Sequence, residues 1–284
     1  MKRVGVVGCG LMGAGIAEVA ARAGLDVVVR EVDAAGCEAG ERRIAASLAR
    51  AVASGKLDPA DEKAALANIR FTTQYSEMAD RQVVVEAVVE EERAKAEVFA
   101  SLDEAVKDPE AVLATNTSSI PVMKLAMATK RPEAVIGIHF FNPVPVLPLV
   151  ELVPSLLTSD TTVERAELLA VDLLGKRVIR SQDRAGFVVN ALLVPYLLSA
   201  IRMLESGFAS AADIDAGMVL GCAHPMGPLA LTDLIGLDTT TAVANSLFEE
   251  FKEPLFAPPP LLSRMVDAGL LGRKTGRGFY EYER

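Results

Sequence analysis

The sequence predicts an α/β fold: a doubly wound, mostly parallel sheet followed by a second, smaller all-α domain. Two observations carry this. Short β-branched runs alternate with Ala-rich helical stretches up to about Arg180, and after Arg180 helical runs continue with no strand between them. Alternation of strand and helix means a parallel sheet covered by helices. The length of 284 residues exceeds the ~100–200 usual for one domain, so two domains are expected.

The elements follow in order. Strands are predicted at Val4–Val7, Val27–Arg30, Val83–Glu86, Val112–Ala114 and Val135–His139. Helical patterns fall at Gly13–Ala23, Ala34–Ser54, Pro59–Ile69, Arg93–Val106 and Pro121–Thr129. The stretch 34–69 is long for one crossover and reads as a helical hairpin that leans off the sheet, turning at Gly55. From Gly186 to Gly207 apolar residues occupy almost every helical face, the mark of a helix buried on all sides. Further helices are read at Asp213–Leu220, Leu229–Ile235, Thr239–Phe251 and Leu261–Ala268. The boundary is placed near Ser181–Ala185, giving domains 1–183 and 184–284. The helical domain is too small to cover its central helix well, which points to a homodimer.

Composition narrows the function classes. Apolar residues make up 51% and charged residues 24%, as in a globular chain. The formal charge of -9 argues against a nucleic-acid groove. No apolar run approaches the ~18 residues of a membrane span, and nothing near Met1 reads as a signal peptide. Cys9, Cys37 and Cys222 lie too far apart in sequence for a metal cluster or disulfide framework, so a reducing cytoplasm is the expected location and no metal is expected.

The first strand runs into Gly8-Cys9-Gly10-Leu11-Met12-Gly13, a G-x-G-x-x-G turn that opens a helix. Gly8 permits the tight turn, Gly10 lets backbone approach a pyrophosphate, and Gly13 lets the helix pack on the strand. The helix N-terminus offers free N–H groups to phosphate. Glu31, directly after the second strand, is placed to accept the ribose hydroxyls of NAD and to repel the extra phosphate of NADP. Arg30 beside it could instead accommodate that phosphate. Together these features predict a Rossmann-type, NAD-binding domain.

A dehydrogenase moves a proton as well as a hydride, and His is the side chain suited to it. The sequence has two, His139 and His224. His139 ends a strand, where the ligand crevice of an open parallel sheet lies. Glu151 follows 12 residues later, beyond three prolines, as a lone carboxylate in an apolar run. It needs a partner. His139 supplies one, as a catalytic pair or as a structural ion pair. Thr115-Asn116-Thr117-Ser118-Ser119 should reach the same sheet edge, to grip a substrate oxygen or to cap the following helix. Asn190, a polar residue in the apolar helix, needs a partner in neighbouring backbone or in substrate.

These residues resemble the 3-hydroxyacyl-CoA dehydrogenase family. The similarity lies in the glycine turn with Ala14-Gly15-Ile16-Ala17, in Val85-Glu86-Ala87-Val88-Val89-Glu90, in Asn116-Thr117-Ser118-Ser119 and in His139-Phe140-Phe141-Asn142-Pro143. It continues through Asn190-Ala191-Leu192-Leu193-Val194-Pro195-Tyr196, His224-Pro225-Met226-Gly227-Pro228 and Lys274-Thr275-Gly276-Arg277-Gly278-Phe279-Tyr280, nearly the whole chain. The resemblance implies that His139 is the catalytic base and Glu151 its orienting partner. It implies Ser118, Asn142 and Asn190 as substrate contacts. Gly8, Gly10, Leu11, Met12, Gly13, Glu31, Glu90, Lys95 and Asn116 would bind NAD, and many relatives carry Asp where Glu31 stands. His224 falls in a Pro/Gly corner and is expected to be structural.

The implied reaction oxidises a 3-hydroxyacyl-CoA to its 3-keto form. An acidic chain must then hold an acidic substrate. The resemblance points to the hairpin 34–69 as the CoA arm, with Ser47, Arg50 and Lys56 as contacts; a solvated basic face is the other reading of these charges. Two further functions stay open at this point: a dehydrogenase of a free 3-hydroxy acid such as a sugar acid, and a non-catalytic NAD-binding protein.

Overall fold

The computed structural model describes residues 1–283. The chain divides into two compact units, Met1–Arg184 and Ala185–Arg284.

The first unit is built on an eight-stranded sheet: β1 (Arg3–Val7), β2 (Asp26–Arg30), β3 (Ile69–Thr72), β4 (Val83–Glu86), β5 (Val112–Thr115), β6 (Val135–Phe140), β7 (Leu149–Pro154) and β8 (Arg177–Arg180). Their order is β3-β2-β1-β4-β5-β6-β7-β8. Every neighbouring pair is parallel except β6 and β7, which run antiparallel. The chain order therefore reverses between β1 and β4, the switch point where open α/β sheets bind ligands. Strands β1, β2, β4, β5 and β6 bury Val, Ile and Leu on both faces, as a helix-covered parallel sheet requires.

The covering helices are α1 (Leu11–Arg22), α2 (Ala34–Ala53), α3 (Pro59–Ala67), α4 (Glu92–Ala105), α5 (Val122–Ala126) and α6 (Asp160–Glu167). Helix α2 starts where the Asp33 side chain accepts from the Gly36 N–H. Three strands, β3, β7 and β8, go beyond the sequence reading. Ile69, read as the end of the hairpin, instead opens β3. The helix read at Pro121–Thr129 is also shorter, because Pro121 caps it and its last residues leave the helix at Met127.

The hairpin of α2 and α3 is anchored on the sheet unit and does not lean free of it. Ile44, Leu48 and Ala65 are buried in the core shared with α1 and β1. Gly40 passes so close to Cys9 that a side chain there would collide with its Sγ.

Among the described residues the second unit contains only helices and short bridges, its α-helices being α7 (Val189–Glu205), α8 (Ala211–Cys222), α9 (Pro228–Ile235), α10 (Leu237–Phe251) and α11 (Pro260–Asp267). Helix α7 buries Val194, Leu197, Leu198 and Ile201. Its burial is incomplete within one chain, since Leu192 stays 74% exposed and Met203 41%. Two buried carboxylates organise the rest. Asp215 caps α9 through the N–H groups of Leu229 and Ala230 and accepts from the Tyr280 hydroxyl. Asp233 accepts from the N–H groups of Phe279 and Tyr280 and from the Tyr282 hydroxyl, fastening the C-terminal segment. Among the described residues no helix is long and apolar enough to cross a membrane, and no metal-binding cluster occurs.

Candidate active site

The cofactor end of the site grows from the β1–α1 turn. Gly8 has φ +89°, a conformation that favours glycine. A Cβ on Gly13 would overlap the Gly8 carbonyl oxygen, so only glycine brings α1 this close to β1. At Gly10 a Cβ would meet nothing within 4 Å, so the turn faces open space. Gly10 is the N-cap of α1 and offers no side chain to the first N–H groups of the helix. Those amides and the positive end of the helix dipole suit a pyrophosphate. Leu11 is exposed and Met12 half-buried beside them.

Glu31 steadies this turn. Its carboxylate accepts from the Cys9 and Val32 N–H groups, while Arg43 of α2 donates to the Cys9 carbonyl. The Arg30 guanidinium lies over the Tyr75 ring, 4.2 Å from its centroid. Burial, and then the Glu31 charge, push the Cys9 thiol up to about 12, so it stays neutral in the turn.

The histidine candidate lies at the same edge of the sheet, where β4, β5 and β6 finish. His139 of β6 stands directly opposite Glu151 of β7 in the antiparallel ladder. The His139 Nδ1–Glu151 Oε2 distance is 2.7 Å, and both side chains are buried, with 5% and 0% exposure. An ionised carboxylate only accepts, so Nδ1 donates and Nε2 carries the acceptor lone pair of the neutral ring. The Ser118 hydroxyl lies 3.1 Å from that Nε2. Phe141 packs edge-on to the imidazole at 4.7 Å. The structure thus brings Ser118 onto the His139–Glu151 pair that the sequence had already matched.

The remaining candidates divide. Asn116 is buried and its side-chain oxygen accepts from the Phe140 N–H, tying the ends of β5 and β6 together. Asn142 precedes a cis proline, Pro143, in the loop after β6. Glu90 accepts from the Thr117 and Ser119 hydroxyls and from the Ser118 and Ser119 N–H groups. Burial alone would raise its carboxyl. The Lys95 charge and these hydrogen bonds outweigh that and hold it below the usual carboxylate range. Lys95, expected at the cofactor, is interior: 1% exposed, its ammonium lies 2.7 Å from Glu86 and 3.2 Å from Glu90. Sequence reasoning gave Glu86 no role. The available signal was its place as a carboxylate closing the buried run Val83-Val84-Val85.

In the second unit, Asn190 is half-buried in the first turn of α7, and its side chain has no hydrogen-bond partner among the described residues. The backbone partner that the sequence left open is therefore not used. His224 lies 3.2 Å from the Tyr196 hydroxyl, a local contact within the same unit.

On the hairpin, Ser47 is half-buried and Arg50 exposed, and neither borders the cavity that Lys56 lines. Lys56 borders that cavity of about 730 Å³ with Arg22 and Lys176, alongside Asp58, Asp61 and Asp172. Lys176 donates to the Val144 and Leu147 carbonyls; burial and then Arg22 lower the ammonium below its ordinary range.

A dinucleotide turn and a serine–histidine–carboxylate relay on one sheet edge define a nicotinamide-dependent dehydrogenase. Residues 3–184 match the family 3-hydroxyacyl-CoA dehydrogenase, NAD binding domain, and residues 186–282 match 3-hydroxyacyl-CoA dehydrogenase, C-terminal domain. The chain belongs to the 3-hydroxyacyl-CoA dehydrogenase family and is an NAD-dependent oxidoreductase. It is 60% identical over 282 residues to a 3-hydroxybutyryl-CoA dehydrogenase of Mycobacterium tuberculosis, covering 99% of both chains. The crystal structure of M. tuberculosis FadB2 is similar with a TM-score of 0.99 at 60% identity, covering 100% of this chain and 99% of that one. The structure of (S)-3-hydroxybutyryl-CoA dehydrogenase PaaH1 from Ralstonia eutropha has a TM-score of 0.93 at 46% identity, covering 99% of each.

Proposed function

We propose that this dehydrogenase interconverts (S)-3-hydroxybutyryl-CoA and acetoacetyl-CoA, with His139 as general acid and base. The observation that carries the reading is the Ser118–His139–Glu151 relay at the sheet edge beside the dinucleotide turn. The names of the 60% and 46% identical relatives support the short acyl chain.

The glycine turn, the first amides of α1 and Glu31 would hold the cofactor. Bound NAD supplies the acceptor for the hydride that leaves C3. His139 takes the proton of the 3-hydroxyl at Nε2, the one ring nitrogen that Glu151 leaves unprotonated. Glu151 balances the charge the ring then gains and prevents it from rotating. Ser118 donates to Nε2 in the resting site, so its hydroxyl marks where the substrate oxygen binds.

Lys56, with Arg22 and Lys176 across the same cavity, would receive the CoA phosphates. The exposed Leu192, Met203 and Leu220 on α7 and α8 support a homodimer through the second unit. A light-scattering mass of one chain at micromolar concentration would refute the dimer.

The central test is NADH oxidation with acetoacetyl-CoA. His139→Gln should lower kcat by about 10²–10⁴-fold, the scale of general acid–base catalysis. NADH binding should persist, since the glycine turn is untouched. Near-normal turnover in the folded variant would overturn the assignment of the base.

A further inference from the structure

Lys95 is an ammonium held between two carboxylates, with Glu86 at 0% and Lys95 at 1% exposure. Burying these charges is costly unless each is paired and fully hydrogen-bonded. Their hydrogen bonds converge on one short segment. Glu86 Oε1 takes the Lys95 ammonium at 2.7 Å and the Val88 N–H at 2.7 Å. Its Oε2 accepts from the Thr115 hydroxyl at 2.8 Å, and the Thr115 oxygen in turn accepts from the Thr117 N–H at 3.1 Å.

Glu90, drawn to the other side of the same ammonium, grips the next residues. It accepts from the Ser118 N–H at 2.8 Å, from the Ser119 N–H at 3.1 Å and hydroxyl at 3.0 Å, and from the Thr117 hydroxyl. The backbone around Ser118 is therefore held from two directions. Its hydroxyl is left facing His139 Nε2 at 3.1 Å.

We infer that Glu86 is a positioning residue for the reaction: through Lys95, Glu90 and Thr115 it fixes the turn that sets the Ser118 hydroxyl against His139. The inference rests on the reading of His139 as the base. Without the Glu86 charge, the ammonium has Glu90 as its one carboxylate. Glu90 is 33% exposed and free to move toward it, loosening the turn. Glu86 touches neither His139 nor Ser118, so its influence must pass through the turn.

A double-mutant cycle tests this, with kcat for acetoacetyl-CoA reduction measured in the full chain. Glu86→Gln should lower kcat about 10- to 100-fold, the scale of a misplacement near 1 Å. In a Ser118→Ala background the same change should cost less than about twofold, because coupled residues do not act additively. If Glu86→Gln does not fold, Glu86→Gln with Lys95→Met removes both buried charges at similar volume and takes its place in the cycle. Penalties that multiply, or wild-type turnover in either folded variant, would overturn the inference alone. A Ser118→Ala enzyme with unchanged kcat would instead overturn the reading of the relay, and the inference with it.

Discussion

Glu151→Gln replaces one carboxylate oxygen by an amide nitrogen and leaves the volume of the side chain almost unchanged. The bond at stake joins His139 Nδ1 to Glu151 Oε2 at 2.7 Å in a buried site. Hydrogen bonds to a charged group contribute about 1.5–3 kcal/mol. That interaction gains importance as the ring becomes cationic, so its loss falls on the transition state. At about 1.4 kcal/mol per tenfold, kcat should drop roughly 10- to 150-fold. The assay is acetoacetyl-CoA reduction at saturating NADH, with NADH affinity followed separately by fluorescence. The affinity should hold, because the glycine turn and Glu31 make no contact with Glu151 in the strand ladder. A folded Glu151→Gln enzyme within twofold of the wild-type kcat would refute the view that the carboxylate supports the base.

Two other perturbations probe different parts of the first unit. Lys56→Glu should raise KM for acetoacetyl-CoA about three- to tenfold, less at high salt, where exposed charges are screened beyond ~8–10 Å. It should spare an acetoacetyl thioester of a short uncharged thiol; equal effects on both substrates would remove the hairpin from CoA binding. The depressed Glu90 carboxyl stabilises the fold above the ordinary glutamate range, and this contribution fades as pH falls through its lowered value. Glu90→Gln should therefore flatten the fall of the denaturation midpoint between roughly pH 5 and pH 3. A slope equal to the wild type would contradict it.

The parts of this molecule legible in its sequence are those whose signal is local. The turn at Gly8–Gly13 announces itself because strand, glycines and helix are contiguous, and Glu31 closes the pattern one strand later. His139 and Glu151 were also legible as partners, since a carboxylate among Leu149, Val150, Leu152 and Val153 must be paired. That these residues form a strand was hidden for the same reason. β7 is buried on both faces, so it shows no alternation, and Glu151 interrupts its apolar run. β3 was lost because Ile69 continues the helical spacing of α3. The contacts of Glu86 were invisible for a different reason. They join β4, α4 and the end of β5, residues up to 29 positions apart, and no spacing rule connects them. The same holds for Asp233, whose partners lie 46 to 49 residues onward.

The antiparallel pairing of β6 with β7 has a bearing on how this enzyme can diversify. His139 and Glu151 are matched by a backbone ladder that also pairs Gly137 with Val153 and Phe140 with Val150. Their spacing is therefore set by strand register and is independent of the residues 141–148 that join them. A one-residue slip in the ladder would turn Glu151 to the opposite face of the sheet. Residues added or lost within the connecting loop leave the ladder as it is. The loop can thus change in length while the His139–Glu151 contact is inherited intact.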